Sequence, residues 1–345
     1  MQTALFAILF SVFTITLQAD LPALKVEGDH LTASGKPIHL RGINWGWWHL
    51  SGTVYSAADM LHVAGWGGNV VRLAFSYNDL ETEADPPAWN ETGFAQLDEV
   101  VRWARSCGVY VILDLHVVPG GQSTQPYCDH GRNLIWTDAK SQAHYLALWQ
   151  EIARRYRDQP EVAAYELMNE PETKQPTPEM LRRIDQRAID AIRGIDPNKI
   201  IVIGGDHGSG AHALVAAMKM PDPNILYTFH WYEGADADHA KIALTDDAFR
   251  AGMASALAFA HQFHVPVWVG EFGCEAHDKD YQSRWVRTSI NAFEEQDFEW
   301  TYWNDRETSD PNGMGLHPEG PGGTDLPVNA TLLHELQSGW SKNAP

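Results

Sequence analysis

Val162-Ala163-Ala164-Tyr165-Glu166-Leu167-Met168-Asn169-Glu170-Pro171 is a largely apolar and aromatic run that ends on Asn-Glu and is stopped by proline. A second run, Val265 to Gly273, closes in the same manner on Gly270-Glu271-Phe272-Gly273. Short apolar runs bounded by turn residues, each followed by a longer amphipathic stretch, are the pattern of buried parallel strands alternating with helices. Working outward, the pattern recurs at His39 to Ile43, Asn69 to Phe75, Val109 to His116, Ile200 to Asp206, Ile225 to Tyr232 and Glu299 to Asp305, which gives eight strands in all. Between them the spacing predicts helices over Gly93 to Ser106, Ala139 to Arg157, Pro178 to Ile195, Ala248 to Phe263 and Tyr281 to Gln296, several opened by Asp, Thr or Pro near the first turn. Eight such units make an α/β chain folded as a single (β/α)8 TIM barrel. A short N-terminal hairpin within Leu24 to Ile43 precedes it, with Glu27-Gly28-Asp29 and Ser34-Gly35-Lys36-Pro37 as turns.

The units consume nearly the whole 345-residue chain, and no Pro/Ser-rich linker interrupts them. One catalytic domain over residues 20–345 is therefore expected, without an appended binding module. Residues 1–19 are almost continuously apolar and carry no charge before Asp20, which reads as a secretory signal peptide and hence a secreted or periplasmic protein. A membrane anchor is the alternative for that segment, and nothing further along reads as transmembrane.

Lys and Arg number 25 against 45 Asp and Glu, a formal charge of −20. Such a surface repels nucleic-acid backbones and anionic lipids but not neutral polymers. Cys107, Cys128 and Cys274 are too few for a zinc ribbon or a disulfide framework, though Cys128 and Cys274 both fall toward one rim and are weighed as a bridge. No His-Glu-x-x-His or Cys-x-x-Cys spacing is present, so neither metal nor cofactor is expected. The Gly-rich stretch Gly204 to Gly210 lacks the lysine and glycine order of a phosphate loop and reads as a turn.

Barrel enzymes place their chemistry at the carboxyl ends of strands. There the chain puts Arg72, His116, Asn169 with Glu170, His230-Trp231-Tyr232, Glu271 and Trp303. Any one of these is equally well a partnered structural residue, but they converge on one rim. Two carboxyl groups about 5 Å apart can protonate a glycosidic oxygen and attack the sugar from its far face. Glu166, inside the same strand as Glu170, reads as a buried, partnered carboxylate.

Arg, His, Asn-Glu, His-x-Tyr, Glu and Trp in this chain order resemble glycoside hydrolase family 5, the cellulase-type family of barrel glycosidases whose catalytic glutamates end strands four and seven. The resemblance runs from about Leu24 to the end of the chain. It implies Glu170 as acid/base and Glu271 as nucleophile of a retaining β-glycosidase. Arg72 and Tyr232 would hold Glu271, and His230 would stand near Glu170. Asn169 and His116 would meet sugar hydroxyls, and Trp303 would floor the cleavage subsite. The charge of Glu271 is expected to raise the pKa of Glu170 in the free enzyme.

Fourteen tryptophans suit a carbohydrate ligand, and Trp47 or Trp48, Trp136 and Trp231 are the expected sugar platforms. The substrate that the resemblance implies is a β-linked glucan, with endo-β-1,4-glucanase (cellulase) action first. β-1,3 or mixed-linkage glucan hydrolase, exo-acting β-glucosidase and β-mannanase follow, and a non-catalytic carbohydrate-binding barrel is the remote alternative.

Overall fold

The structure is a computed structural model that describes residues 21–46, 54–82, 84–172, 178–235, 242–275, 278–307, 313–320, 324–325 and 327–343. Eight parallel strands close a barrel: β1 (Arg41–Gly46), β2 (Val70–Ser76), β3 (Tyr110–Val117), β4 (Val162–Glu166), β5 (Ile200–Gly204), β6 (Ile225–Trp231), β7 (Val267–Phe272) and β8 (Glu299–Tyr302). Each strand pairs with the next in sequence, and Trp300 opposite Arg41 joins β8 back to β1. Apart from the single turn Tyr77–Leu80, the described α-helices are α1 (Ala57–Trp66), α2 (Glu91–Cys107), α3 (Ala139–Tyr156), α4 (Pro178–Arg193), α5 (Asp246–Gly252), α6 (Ala254–Phe263), α7 (Lys279–Glu295) and α8 (Ala330–Trp340). Short polar side chains open several of them: Asn90 accepts from the Thr92 amide, Asp138 from Ser141 and Asp278 from Tyr281.

Two readings are corrected in detail, the span of one helix and the end of β4. The helix expected over Ala248 to Phe263 is split at Met253 into α5 and α6. The β5–β6 crossover carries only two 3-10 turns, Ala211–Ala213 and Ala216–Met218. Regular pairing in β4 ends at Glu166, four residues before Glu170, whose backbone turns left-handed at φ 41°. No described helix is long and apolar enough to cross a membrane, and residues 1–20, with the signal reading, lie outside the described residues.

Alternation along the strands creates two apolar layers. Outward residues such as Val71, Leu73, Phe75, Leu113, Phe229 and Val269 meet the helices. Inward residues Val70, Tyr110, Ile112, Leu226 and Trp268 fill the lower barrel, and Leu24 and Leu31 of the N-terminal segment pack against them. That segment is a three-stranded antiparallel sheet, Leu24–Glu27, His30–Ala33 and Lys36–Ile38, rather than a simple hairpin. Burying a leucine this fully contributes about 1.5–3 kcal/mol, so the sheet plugs the barrel floor. With the floor closed, the barrel interior opens at its upper end.

Strand closure constrains one residue sharply. A Cβ on Gly42 in β1 would lie 1.7 Å from the Val70 carbonyl oxygen of β2. Gly42→Ala is expected to lower stability by at least about 1–3 kcal/mol, as overpacking does. Denaturant titration would read this as a lower midpoint, and a midpoint equal to wild type would contradict it.

Candidate active site

The upper barrel replaces its apolar filling with charge. Arg72 on β2 is fully buried, and its guanidinium meets three carboxylates. It forks onto Glu166 at 2.6 and 2.9 Å, reaches Asp114 at 3.0 Å and Glu271 at 2.5 Å. Asn44 and Asn169 accept its remaining hydrogens at 3.0 and 2.8 Å. A planar fork with five donors can satisfy this many acceptors, whereas an ammonium cannot. Three buried acids still exceed one cation, so burial pushes both Asp114 and Glu166 up to about 7, against the pull of Arg72.

Glu271, at the top of β7, is held at both oxygens: Arg72 donates to Oε1 and the Tyr232 hydroxyl to Oε2 at 2.9 Å. Glu170 sits opposite, with a quarter of its side chain exposed against 6 % for Glu271. His230 Nδ1 contacts Glu170 Oε1 at 2.8 Å and Glu271 Oε2 at 3.5 Å, and the Tyr127 hydroxyl donates to Glu170 Oε2 at 2.9 Å. One ligand atom from each of Glu170, His230 and Glu271 lies within 4.8 Å of the others, so the two carboxylates face each other across a sugar-sized gap. The oxygens of this trio already accept from Arg72, Tyr232, Tyr127 and His230, which suits proton handling rather than cation binding.

The expected rise of the Glu170 pKa is corrected. Burial does push it up, but hydrogen bonds from His230 and Tyr127 outweigh burial and leave it below the ordinary carboxylate value. His230 moves the other way: burial disfavours its charge, yet Glu271 and Glu170 together raise its pKa. The negative charge of Glu271 therefore acts on the imidazole and favours its protonated form.

His116 is a neutral ring. The Asn169 carbonyl oxygen accepts from Arg72, so its amide nitrogen faces His116 Nε2 at 3.1 Å, and Nδ1 carries the hydrogen to Asp114 at 2.7 Å. Burial pulls its pKa down to about 4. Trp303 stacks on it with centroids 5.5 Å apart and planes 17° apart. Arg72, His116, Asn169, Glu170, His230, Tyr232, Glu271 and Trp303 thus gather at one rim.

Two platform expectations are corrected. Trp231 follows inward-facing His230, so the two-residue alternation of β6 turns it outward, where it is 2 % exposed against Phe249. Trp136 is 8 % exposed, with its ring nitrogen donating to Asn133 and Gln122. Trp47 and Trp48 lie outside the described residues. Cys128 and Cys274 are separate buried thiols, so that bridge is not made.

Sequence reading missed Asn44, Asp114, Gln122 and Tyr127. Asp114 was legible, since it shares the inward phase of β3 with His116. Gln122 donates to the backbone oxygens of His116 and Asn169, tying the ends of β3 and β4, but no pattern marks it.

Residues 31–308 match the sequence profile of "Cellulase (glycosyl hydrolase family 5)". The chain belongs to glycosyl hydrolase family 5. Membership makes it a glycoside hydrolase in kind. It is similar to a β-xylosidase of Phanerodontia chrysosporium, 25% identical over 72% of this chain and 56% of that one, so it spans just over half the length of that relative. It is also similar to endoglucanase C of Acetivibrio thermocellus, 23% identical over 76% of this chain and 90% of that one. An endoglucanase structure from Thermotoga maritima superposes with a TM-score of 0.70 at 23% identity, covering 86% of this chain and 96% of that one. An endogalactoceramidase structure gives 0.72 at 22%, covering 92% and 85%. At these identities the structural likenesses establish the barrel fold.

Removing the buried cation exposes what it holds. Arg72→Met is expected to cost about 3–5 kcal/mol, because three acids lose their partner. In the wild type, Asp114 and Glu166 have folded pKa values raised above the unfolded ones. Their contribution to stability is fully present below about 4 and is lost as pH rises toward about 7. The Arg72→Met deficit should therefore shrink on acidification, and a pH-independent deficit would show that the cluster does not carry it.

Proposed function

We propose that the protein is a retaining β-glycosidase acting on β-linked glucan, with endo-β-1,4-glucanase (cellulase) action as its leading activity. The observation that carries the reading is the approach of the Glu170 and Glu271 carboxylates within 4.8 Å, together with their unequal surroundings. A spacing near 5 Å suits a nucleophile and an acid/base, whereas an inverting pair stands about 6.5–9.5 Å apart to admit water. Relatives named endoglucanases support a glucan cut internally. β-1,3 or mixed-linkage glucan, exo-acting β-glucosidase and β-mannanase action are alternatives at the same site. The apolar stretch at residues 1–19 supports the further reading that the enzyme is secreted or periplasmic.

In this scheme Glu271 attacks the anomeric carbon while Glu170 protonates the departing oxygen. Arg72, a permanent cation at 2.5 Å, orients Glu271 and offsets its charge. The proton Glu170 delivers arrives from His230 along their 2.8 Å hydrogen bond. Once Glu271 is esterified its charge is gone, so neutral His230 has less reason to reclaim a proton and Glu170 is left as an anion. That is the form needed to deprotonate the incoming water, whose proton returns to His230 as Glu271 is released. Asn169 retains one amide hydrogen, after its contact with His116, to donate to the sugar. The exposed edge of Trp303 offers an apolar face to the pyranose C–H surface.

Glu271→Gln and Glu170→Gln are expected to lower turnover by at least about 10²–10⁴-fold. Azide added to Glu170→Ala should give a glycosyl azide of retained configuration, followed by NMR of the product anomer. An inverted first-formed product, or wild-type turnover in either variant, is incompatible with the scheme. A panel of soluble β-glucans and mannan, with products resolved by length, should show β-1,4-glucan cut mid-chain. Release of single sugars from chain ends would favour the exo reading instead.

A further inference from the structure

We propose that Tyr127 is a positioning residue for the acid/base, pinning the second oxygen of Glu170 and controlling how readily that carboxyl takes up a proton. The inference rests on the glycosidase reading above and adds a residue that the family pattern of Arg, His, Asn-Glu, His-x-Tyr, Glu and Trp does not contain. Glu170 has two oxygens and each is taken by a separate donor, Oε1 by His230 and Oε2 by Tyr127. An acid/base must release one of these contacts when it turns from base into acid. The His230 contact is the source of the proton, so the Tyr127 contact is the one that opposes protonation.

The phenol is fixed by its loop rather than by a strand. Residues 118–138 fold back on themselves, with Leu134 N donating to Gly120 O at 2.7 Å and Gly131 N to Cys128 O at 2.9 Å. Gly121 is left-handed at φ 74°, and a Cβ there would lie 2.7 Å from the Cys128 carbonyl oxygen, so glycine is what lets the loop pass this close beside Tyr127. Two residues on, Asp129 accepts from Tyr77 at 3.1 Å and from Arg132 at 2.6 Å, which anchors the loop to the residues after β2. The ring of Tyr127 stands 6.1 Å from that of His116, which in turn stacks on Trp303. Tyr127 thus occupies the corner between the sugar-facing pair and the acid/base.

The charged and titratable groups facing Glu170 are His230 from β6 and Tyr232 just after it, His116 and Asp114 from β3, Glu271 from β7, and Cys128 from the loop itself. His116 is neutral and Cys128 is pushed up to about 11, so neither changes charge through the working range. Burial beside Glu170 raises the phenol pKa well above its ordinary value, so Tyr127 remains a donor throughout. Donation to the ionised carboxylate favours that form, and its loss shifts the Glu170–His230 pair toward protonation.

The test is the pH profile of Tyr127→Phe, which removes one hydroxyl and keeps the ring. The alkaline limb of kcat/KM reports loss of the proton that Glu170 must donate. The acid limb of kcat on a dinitrophenyl β-cellobioside, whose leaving group needs no acid, reports protonation of the base. Both limbs should move to higher pH by about one unit. A difluorotyrosine at position 127, a stronger donor of the same shape, should move both limbs down and serves equally if Tyr127→Phe folds poorly. A uniform loss of rate with unmoved limbs would reduce Tyr127 to a structural residue and overturn the proposal. If azide fails to rescue Glu170→Ala the glycosidase reading itself falls, whereas rescue with unmoved limbs removes only Tyr127.

Discussion

The contact on which the upper barrel depends is the Arg72 guanidinium. It is fully enclosed, and it meets Asp114, Glu166 and Glu271 from three strands, β3, β4 and β7. Desolvating a charge costs several kcal/mol even after relaxation, and only multiple well-formed contacts offset it. Here six acceptor oxygens surround five donors, so the penalty is spread over a network that also sets strand positions. Asn44 extends the network, since its amide donates to the Gly270, Thr301 and Tyr302 carbonyl oxygens, locking β1 to β7 and β8. Stability and the proposed catalysis therefore share one cation.

That sharing explains the unequal treatment of the two glutamates. Glu271 is fixed by a group that cannot lose its charge, together with a tyrosine hydroxyl. Glu170 is fixed by His230 and Tyr127, an imidazole whose pKa the two glutamates raise and a hydroxyl that stays protonated in the working range. A proposed nucleophile has to stay ionised, whereas a proposed acid/base has to alternate. The permanent cation and the switchable donor are assigned accordingly, and exposure follows the same division, since the alternating group is the one open to solvent.

The barrel was legible because period-two alternation and apolar runs survive in the sequence even without tertiary context. The residues at strand ends were legible for the same reason, as Arg72 with Val70 and His116 with Asp114 lie in one phase. Trp231 was misjudged by reading proximity to the rim in place of that phase. The α5–α6 break depends on how segments pack on the barrel, which propensity does not report. Tyr127 was invisible because it acts across 43 positions from a loop whose course is set by backbone hydrogen bonds rather than by a repeat. The lowered pKa of Glu170 was missed for a related reason: its partners were counted by sign of charge, without the two donors on its oxygens.

The proton inventory of the trio follows from these placements. With Glu271 and Glu170 both ionised and His230 protonated, the three groups carry one net negative charge. Esterifying Glu271 removes one negative charge, and delivering the His230 proton to the leaving oxygen removes one positive charge, so the trio again carries one. Charge in the buried site is the same before and after the first step, and no large electrostatic penalty attends the change of state. A site that instead kept its proton on Glu170 from the outset would reach the same end point, but would hold Glu271 beside a neutral His230 and lose the imidazolium that offsets two facing carboxylates. The geometry favours the former, because His230 Nδ1 lies within 3.5 Å of an oxygen from each glutamate and is the one titratable donor that reaches both among the described residues.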